Sequence, residues 1–179
     1  VIVLPGPGAA GLELAVANVI SPGDKAIVVH DGFFSDIFRQ LVEIYDGIPI
    51  LVSEEYGKAV KPHMVEDALE RNGDVKAVFA VHSETSTGVR HDIEAIGRIS
   101  KEYDLIYVVD AVSTYGGMEL RVDDWNIDIC IGYPSKALGA INGVVPIAIR
   151  DRVWEYVDSR KHKVRSRFYD LKLWRKCLD

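Results

Sequence analysis

The sequence predicts an α/β fold, with a mostly parallel β-sheet covered by helices on both faces. Short apolar runs without polar alternation recur along the 179 residues, which is typical of strands buried on both sides. Segments with helical periodicity separate these runs. Glycine, proline or a polar turn marks most of the boundaries. Such alternation of strand and helix favours parallel strands joined by crossover helices.

Seven strands and five helices are predicted in chain order. Pro62 opens the third helix and Gly73 follows it as a stop signal, while Asp92 is expected to cap the fourth. The polar segment 83–88 is predicted to be a loop. The predicted strands are residues 1–4, 26–29, 48–52, 75–81, 105–109, 127–131 and 144–149. The predicted helices are residues 9–19, 35–45, 62–71, 93–103 and 167–175.

Composition and charge exclude several classes of protein. Hydrophobic residues make up 48% and charged residues 27% of the chain, which is ordinary for a globular protein. No apolar run is long enough to span a bilayer, so no membrane partner is expected. The net charge of −6 gives no support for a nucleic-acid partner. The two cysteines show no metal-ligand spacing, so we expect no metal and a reducing, cytoplasmic location.

Asp110 and Lys136 form the most informative pair of polar residues. Asp110 ends the apolar run 105–109, and Lys136 lies in a polar turn after the next predicted strand. Taken singly, Lys136 would be a solvated lysine and Asp110 a turn former. Open α/β sheets bind ligands at the carboxyl ends of their strands, so both side chains are expected in one crevice. A carboxylate facing an amine suits a pyridinium nitrogen and an aldehyde, which are the two ends of pyridoxal 5'-phosphate (PLP).

A glycine-rich turn supports a competing hypothesis. Gly6, Gly8 and Gly11 stand between a predicted strand and a predicted helix, and Asp31 closes the following strand about 20 residues later. This is the fingerprint of a dinucleotide-binding domain, which would make the protein an NAD(P)-dependent oxidoreductase. In both hypotheses the glycines let backbone N–H groups approach a phosphate. A dinucleotide domain has no use for Asp110 or a later lysine, so the PLP hypothesis is favoured.

Three ordered motifs resemble a known family. HSETSTG at 82–88, VVDAVSTYGG at 108–117 and KALGA at 136–140 are similar to segments of the class V, fold-type I aminotransferases. The resemblance is strongest to the alanine–glyoxylate and serine–pyruvate aminotransferase group, and it extends from Gly6 to Arg175. It implies the large-domain core of a PLP-dependent transferase and an enzyme of the aminotransferase type.

The resemblance implies a role for several residues around the acid and the lysine. Lys136 would hold the cofactor as an aldimine and then move the α-proton, while Asp110 would keep the pyridinium nitrogen protonated. Phe34 would stack on the ring, Val112 would pack against its other face, and Thr85 would approach the phenolic oxygen. The other predicted cofactor-binding residues are Gly6, Gly8, Ala9 and Ser135.

Two positions depart from the family pattern. Pro7 stands where relatives usually carry a hydroxyl residue, so the phosphate is expected to rely on the amides of residues 8–10. Ser135 stands where relatives commonly carry a glutamine. The surrounding run PSKALGA also resembles pyridoxamine–pyruvate aminotransferases, which therefore stay open as an alternative.

The expected reaction is transamination between a small amino acid, alanine or serine, and a small 2-oxo acid, glyoxylate or pyruvate. The resemblance also implies a homodimer. Residues 1–179 are expected to form the central part of the PLP-binding large domain, without the N-terminal segment and the C-terminal small domain of such enzymes. The residues that bind the substrate carboxylate are expected in that C-terminal part.

Overall fold

The computed structural model describes residues 1–177, and the last two residues of the predicted domain, 178–179, lie outside the described part. The strands are β1 (Ile2–Pro5), β2 (Lys25–Val29), β3 (Ile48–Val52), β4 (Val75–Val81), β5 (Ser83–Glu84), β6 (Val89–Arg90), β7 (Ile106–Asp110), β8 (Ile129–Ile131) and β9 (Val144–Ile149). The helices are α1 (Gly8–Val19), α2 (Phe33–Ile44), α3 (Pro62–Asn72), α4 (Ile93–Glu102), α5 (Asp151–Ser159) and α6 (Leu171–Arg175).

Seven of the strands described within residues 1–177 form one sheet in the order β1-β9-β8-β7-β4-β2-β3. Neighbouring strands from β8 to β3 are parallel, whereas β9 runs antiparallel to β1 and β8. All strands of this sheet except β9 therefore end at the same side. We call this side the carboxyl edge; the loops that leave it carry the residues of the predicted site.

Two buried clusters cover the two faces of the sheet, which confirms the predicted α/β fold. One face packs against α1, α2 and α5 through buried residues such as Leu12 and Phe38. The other face packs against α3 and α4 through residues such as Val65 and Ile96. Among the described helices, none combines the length and the apolar character needed to cross a membrane.

Two predicted segments are wrong in detail. Residues 83–88 are not only a loop, because Ser83–Glu84 and Val89–Arg90 pair as a short antiparallel hairpin. Two-residue strands are too short to produce a period in the sequence. The helix predicted at 167–175 is confined to Leu171–Arg175, where the side chain of Asp170 caps it by accepting the N–H of Lys172 at 2.9 Å.

Helix α1 is held unusually close to the sheet by Gly11. A Cβ atom at this position would lie 2.6 Å from Ile131 Cγ2 and 2.8 Å from Val145 Cγ1, so only glycine allows this approach to β8 and β9. At the other end of α1, the half-buried guanidinium of Arg160 donates to the carbonyl oxygens of Ala17 and Ile20 at 2.7 and 2.6 Å. Both contacts fix the position of the helix that starts at the carboxyl edge.

We expect Gly11→Ala to lower the free energy of unfolding of the intact protein. Alanine raises helix propensity by ~1 kcal/mol, but overpacking against the two methyl groups costs roughly 1–3 kcal/mol. The net loss is therefore expected to be about 1 kcal/mol, measured by urea unfolding. Arg98→Ala on the exposed face of α4 is the control and should stay within about 0.5 kcal/mol of the wild type. An unchanged or raised stability would show that the sheet relaxes around the new methyl group.

Candidate active site

Asp110 is the last residue of β7, and it is only 4% exposed. Its Oδ1 atom accepts the N–H of Val112 at 2.8 Å, and Oδ2 accepts no hydrogen bond from residues 1–177. Burial raises the pKa of Asp110 to about 7, and the negative charge of Glu84 acts in the same direction. The Val112 hydrogen bond and the positive charge of Lys136 oppose this shift. The carboxyl group can therefore accept a further donor, above all a cationic one.

Lys136 lies in an exposed, turn-rich segment between β8 and β9. The N–H of Ala140 donates to the carbonyl oxygen of Pro134 at 2.9 Å, which closes this segment into a compact loop. The chain after Asp110 contacts it at Gly117, where a Cβ atom would lie 2.5 Å from the Cβ of Ala137. Because glycine has no side chain here, the loop after β7 can pack directly against the turn that contains Lys136, which we call the lysine turn.

Helix α1 presents an open N-terminus to the carboxyl edge. Its N-cap residue Pro7 makes no side-chain hydrogen bond to the helix, and the first turn contains no acidic residue. Within the described chain, the N–H groups of Gly8 and Ala9 donate to no acceptor, whereas the N–H of Ala10 donates to the carbonyl oxygen of Pro7 at 2.9 Å. Two free amides at the positive end of a helix dipole are what an anion such as phosphate requires.

The turn before α1 is hydrogen-bonded to the segment between β8 and β9, which also contains Lys136. Gly6 has a φ of 143°, which residues with side chains rarely adopt. Its N–H donates to the carbonyl oxygen of Gly143 at 2.9 Å, just before β9 begins. Gly6 therefore shapes the turn through its conformation, and its amide is not available to a ligand.

Helix α2 also starts at the carboxyl edge, but its N-terminus is already occupied. The N–H groups of Phe34 and Ser35 donate to Glu84 Oε2 at 3.0 and 2.9 Å, and the N–H of Phe33 donates to Ser86 Oγ at 2.9 Å. Since these amides already have acceptors, α2 offers them to no anion. Of these two helices, only α1 is free to bind one.

Two further contacts bring the loops of the carboxyl edge together around Asp110. Val112 packs on Gly8, where a Cβ atom would lie 3.0 Å from Val112 Cγ2. Thr85, at the tip of the β5–β6 hairpin, places its Oγ1 atom 2.7 Å from Ser113 Oγ. The structure thereby gathers the predicted residues of three loops near one carboxylate.

Phe34 and Ser135 are placed less tightly than their neighbours. The ring of Phe34 is half-buried and meets the ring of Phe33 edge-on, with a centroid distance of 5.3 Å. Ser135 is half-buried in the lysine turn, and its side chain makes no hydrogen bond to the described residues. Both lie at the carboxyl edge, as predicted.

Asp31 is not placed to bind a ribose, so the structure gives the oxidoreductase hypothesis no support. Its side chain is fully buried, with Oδ2 3.4 Å from Nε2 of the equally buried His91. Burial raises the pKa of Asp31, and the neighbouring His91 opposes that shift. The third glycine of the fingerprint, Gly11, packs α1 on the sheet and does not approach the carboxyl edge.

Glu84 and Gly117 are structural parts of the site that the sequence did not single out. Glu84 was only one polar residue among several in HSETSTG. A signal existed, because α2 starts at Gly32–Phe33 without a side chain able to cap it, so its amides required an acceptor from elsewhere. Gly117 carried no comparable signal, since only the fold shows what lies beside it.

Comparison with known proteins assigns the chain to a family. It matches the family model described as Aminotransferase class-V over residues 1–161. It is 38% identical over 161 residues to an uncharacterized aminotransferase of Methanocaldococcus jannaschii, covering 90% of this chain and 42% of that protein. It is 36% identical over 165 residues to the (S)-ureidoglycine–glyoxylate transaminase of Bacillus subtilis, covering 91% of this chain and 39% of that protein.

Solved structures agree with this assignment. The ureidoglycine–glyoxylate aminotransferase of Bacillus subtilis superposes with a TM-score of 0.94 at 32% identity, covering 99% of this chain and 46% of that one. An alanine–glyoxylate aminotransferase from Nostoc sp. gives a TM-score of 0.94 at 28% identity, covering 99% of this chain and 47% of that one. The chain therefore spans less than half the length of these relatives. Since the family model matches most of its residues, the chain belongs to the class V aminotransferases.

Proposed function

We propose that the protein of this chain is a PLP-dependent aminotransferase that moves an amino group from alanine or serine to glyoxylate or pyruvate. The observation that carries the proposal is the buried carboxyl group of Asp110 within electrostatic reach of Lys136, beside an open helix N-terminus. Similar proteins support the acceptor, because their names include ureidoglycine–glyoxylate, alanine–glyoxylate and serine–glyoxylate aminotransferases.

The residues at the carboxyl edge fit the three parts of PLP. The phosphate would lie at the free N–H groups of Gly8 and Ala9. The ring nitrogen would donate to Asp110 Oδ2, the oxygen without a partner in the described chain. Val112 and Phe34 would line the two faces of the ring. When bound, PLP supplies an aldehyde that combines with amines and a ring that withdraws electrons.

The chain's own groups then divide the work between anchoring and proton transfer. Asp110 would keep a proton on the ring nitrogen, because a negative carboxylate stabilises the positive charge there. Lys136 Nζ would bind the aldehyde end and, once displaced by the substrate amine, would accept and return the substrate α-proton. Thr85 would donate from its hydroxyl group toward the phenolic oxygen, and Ser113 at 2.7 Å would orient that hydroxyl.

We further propose that residues 1–179 correspond to the central part of the PLP-binding large domain of a cytoplasmic homodimer. The share of the relatives' length that the chain covers supports this assignment. The residues that bind the substrate carboxylate would then be sought outside this chain. Size-exclusion chromatography with light scattering would measure the subunit number of the intact protein, and a monomer would contradict the dimer.

A pyridoxamine–pyruvate aminotransferase is the second candidate. The pyridoxamine–pyruvate transaminase of Mesorhizobium japonicum is 28% identical over 173 residues and covers 97% of this chain. The two candidates differ in the amino donor. Assays of the intact protein with alanine and with pyridoxamine as separate donors would distinguish them, because only one of the two should support turnover at a substantial rate.

We expect Lys136→Ala to abolish covalent attachment of PLP. Borohydride reduction of the wild-type protein should fix the cofactor to the peptide that contains Lys136, and the variant should lose the absorbance band at roughly 400–430 nm that bound PLP produces. Lys61→Ala, an exposed lysine far from the lysine turn in sequence, is the control and should keep the band. Labelling of a different lysine would contradict the assignment.

We expect Asp110→Asn to slow transamination on the order of 10²-fold, because the ring nitrogen loses its negative partner.

The same variant should stabilise the cofactor-free protein at neutral pH. Burial raises the pKa of Asp110 from 3.8 to about 7, so between these values the folded state holds a proton that the unfolded state has lost. The wild-type free energy of unfolding therefore falls as pH rises through this window, by on the order of a few kcal/mol.

Asparagine does not titrate, so the stability difference between the variant and the wild type should grow from pH 4 to pH 7 and then level off. Urea unfolding of the cofactor-free proteins at several pH values measures this difference. Glu94→Gln, an exposed carboxylate on α4, is the control and should show no such growth. A difference that is independent of pH would show that Asp110 is ionised throughout.

A further inference from the structure

Glu84 is fully buried between the β5–β6 hairpin and the start of α2. One oxygen accepts the amide protons of Phe34 and Ser35, as described above. The other oxygen, Oε1, accepts the N–H of Ser86 at 3.1 Å and the hydroxyl of Ser86 at 2.7 Å. Four donors thus surround a carboxylate that is closed off from solvent.

These four donors require the ionised form of the side chain. Burial by itself would raise the pKa of Glu84, but the hydrogen bonds from Ser86, Ser35 and Phe34 outweigh it and hold the pKa below its ordinary value. A glutamine of the same shape would turn an amide NH₂ group toward one pair of donors. Even with its oxygen toward Phe34 and Ser35, glutamine would leave the Ser86 N–H without its acceptor and would lack the negative charge that strengthens the remaining hydrogen bonds.

The β5–β6 hairpin and the start of α2, which carries Phe33 and Phe34, are in direct contact at Gly32. A Cβ atom there would lie 2.4 Å from Ser86 Oγ and 2.5 Å from Glu84 Cγ. The residue next to Glu84 in the hairpin is Thr85, whose hydroxyl reaches Ser113 on the loop after Asp110. Glu84 thus binds the backbone of Phe34 and is followed directly in the chain by Thr85.

We propose that Glu84 is the positioning residue of the cofactor site: its buried carboxylate fixes Phe34 and Thr85 relative to Asp110 without touching cofactor or substrate. The proposal rests on the proposed function, since it takes Phe34 and Thr85 to contact PLP. In this proposal the negative charge of Glu84 holds the site in place and takes no part in the reaction itself. No side chain at the N-cap of α2 accepts the N–H groups of Phe34 and Ser35, so without Glu84 the Phe34 ring would lose its fixed orientation.

The first test needs no cofactor. Amide hydrogen exchange of the intact, cofactor-free protein reports the N–H groups of residues 33–35 directly. In Glu84→Gln, exchange in this segment should accelerate about tenfold or more, while peptides from α4 stay unchanged. Glu94→Gln removes an exposed carboxylate and is the matched control; it should leave exchange in residues 33–35 as in the wild type.

The second test measures PLP binding by titration and by visible circular dichroism, which reports the orientation of the bound ring. Glu84→Gln should weaken binding at least tenfold, equivalent to about 1.4 kcal/mol, and reduce the dichroic band. The loss should be smaller in a Phe34→Leu background, because the acid acts through that ring. A merely structural role would lower the melting temperature but leave the effects of the two substitutions additive.

The outcomes separate this inference from the proposed function. If the wild type binds no PLP, the proposed function fails and the positioning role fails with it. If the wild type binds PLP and Glu84→Gln binds it equally well, only the positioning role is overturned. Should Glu84→Gln not fold, Ser86→Ala removes one donor to Glu84 and the acceptor of the Phe33 amide, and it should give the same pattern at smaller size. Normal exchange and normal affinity in that variant would overturn the proposal.

Discussion

The cost of burying a carboxyl group at the carboxyl edge governs this structure. Three buried acids lie there, and the number of hydrogen-bond donors around each one determines how burial shifts its pKa. Glu84 has four donors, so its pKa is lowered in spite of burial. Asp110 has only one, so burial raises its pKa to about 7. Asp31 is buried beside His91, and burial raises its pKa as well. The fold therefore favours the charged form of Glu84, which has a structural role, and leaves Asp110 with an oxygen that lacks a hydrogen-bond donor among residues 1–177.

This contrast separates structural roles from roles in binding. An acid saturated with donors has nothing left to offer a ligand, as the closed N-terminus of α2 illustrates. An acid with an unpaired oxygen and a helix with free amides are both incomplete within the described chain. They lie on neighbouring loops, since Val112 packs against Gly8. A ligand with an anion at one end and a protonated nitrogen at the other would complete both at once.

The sequence predicted the fold class, most strand positions and the carboxyl edge as the candidate site, because apolar runs and turn residues are local signals. The order of the strands and the pairing of β1 with β9 could not be predicted, because they join segments that are distant in sequence. The hairpin at residues 83–90 was missed for the same reason, as its strands hold two residues each. Gly11 was noticed for its spacing, yet only the structure showed that it packs a helix closely on the sheet. Glu84 was overlooked because the helix amides that it binds are about 50 residues away in sequence.

The pairing of β1 with β9 has a consequence for how the chain assembles. Within residues 1–177, β1 pairs only with β9, although the strands β2 to β8 lie between them in the chain. Gly6, at the start of the turn that precedes α1, likewise bonds to Gly143. The turn that leads into α1 can therefore make these contacts only after residues 143–149 have been synthesised. We therefore expect β2, β3 and β4, which are close in sequence, to pair earlier than β1 and β9, so that the start of α1 docks as a late, long-range step.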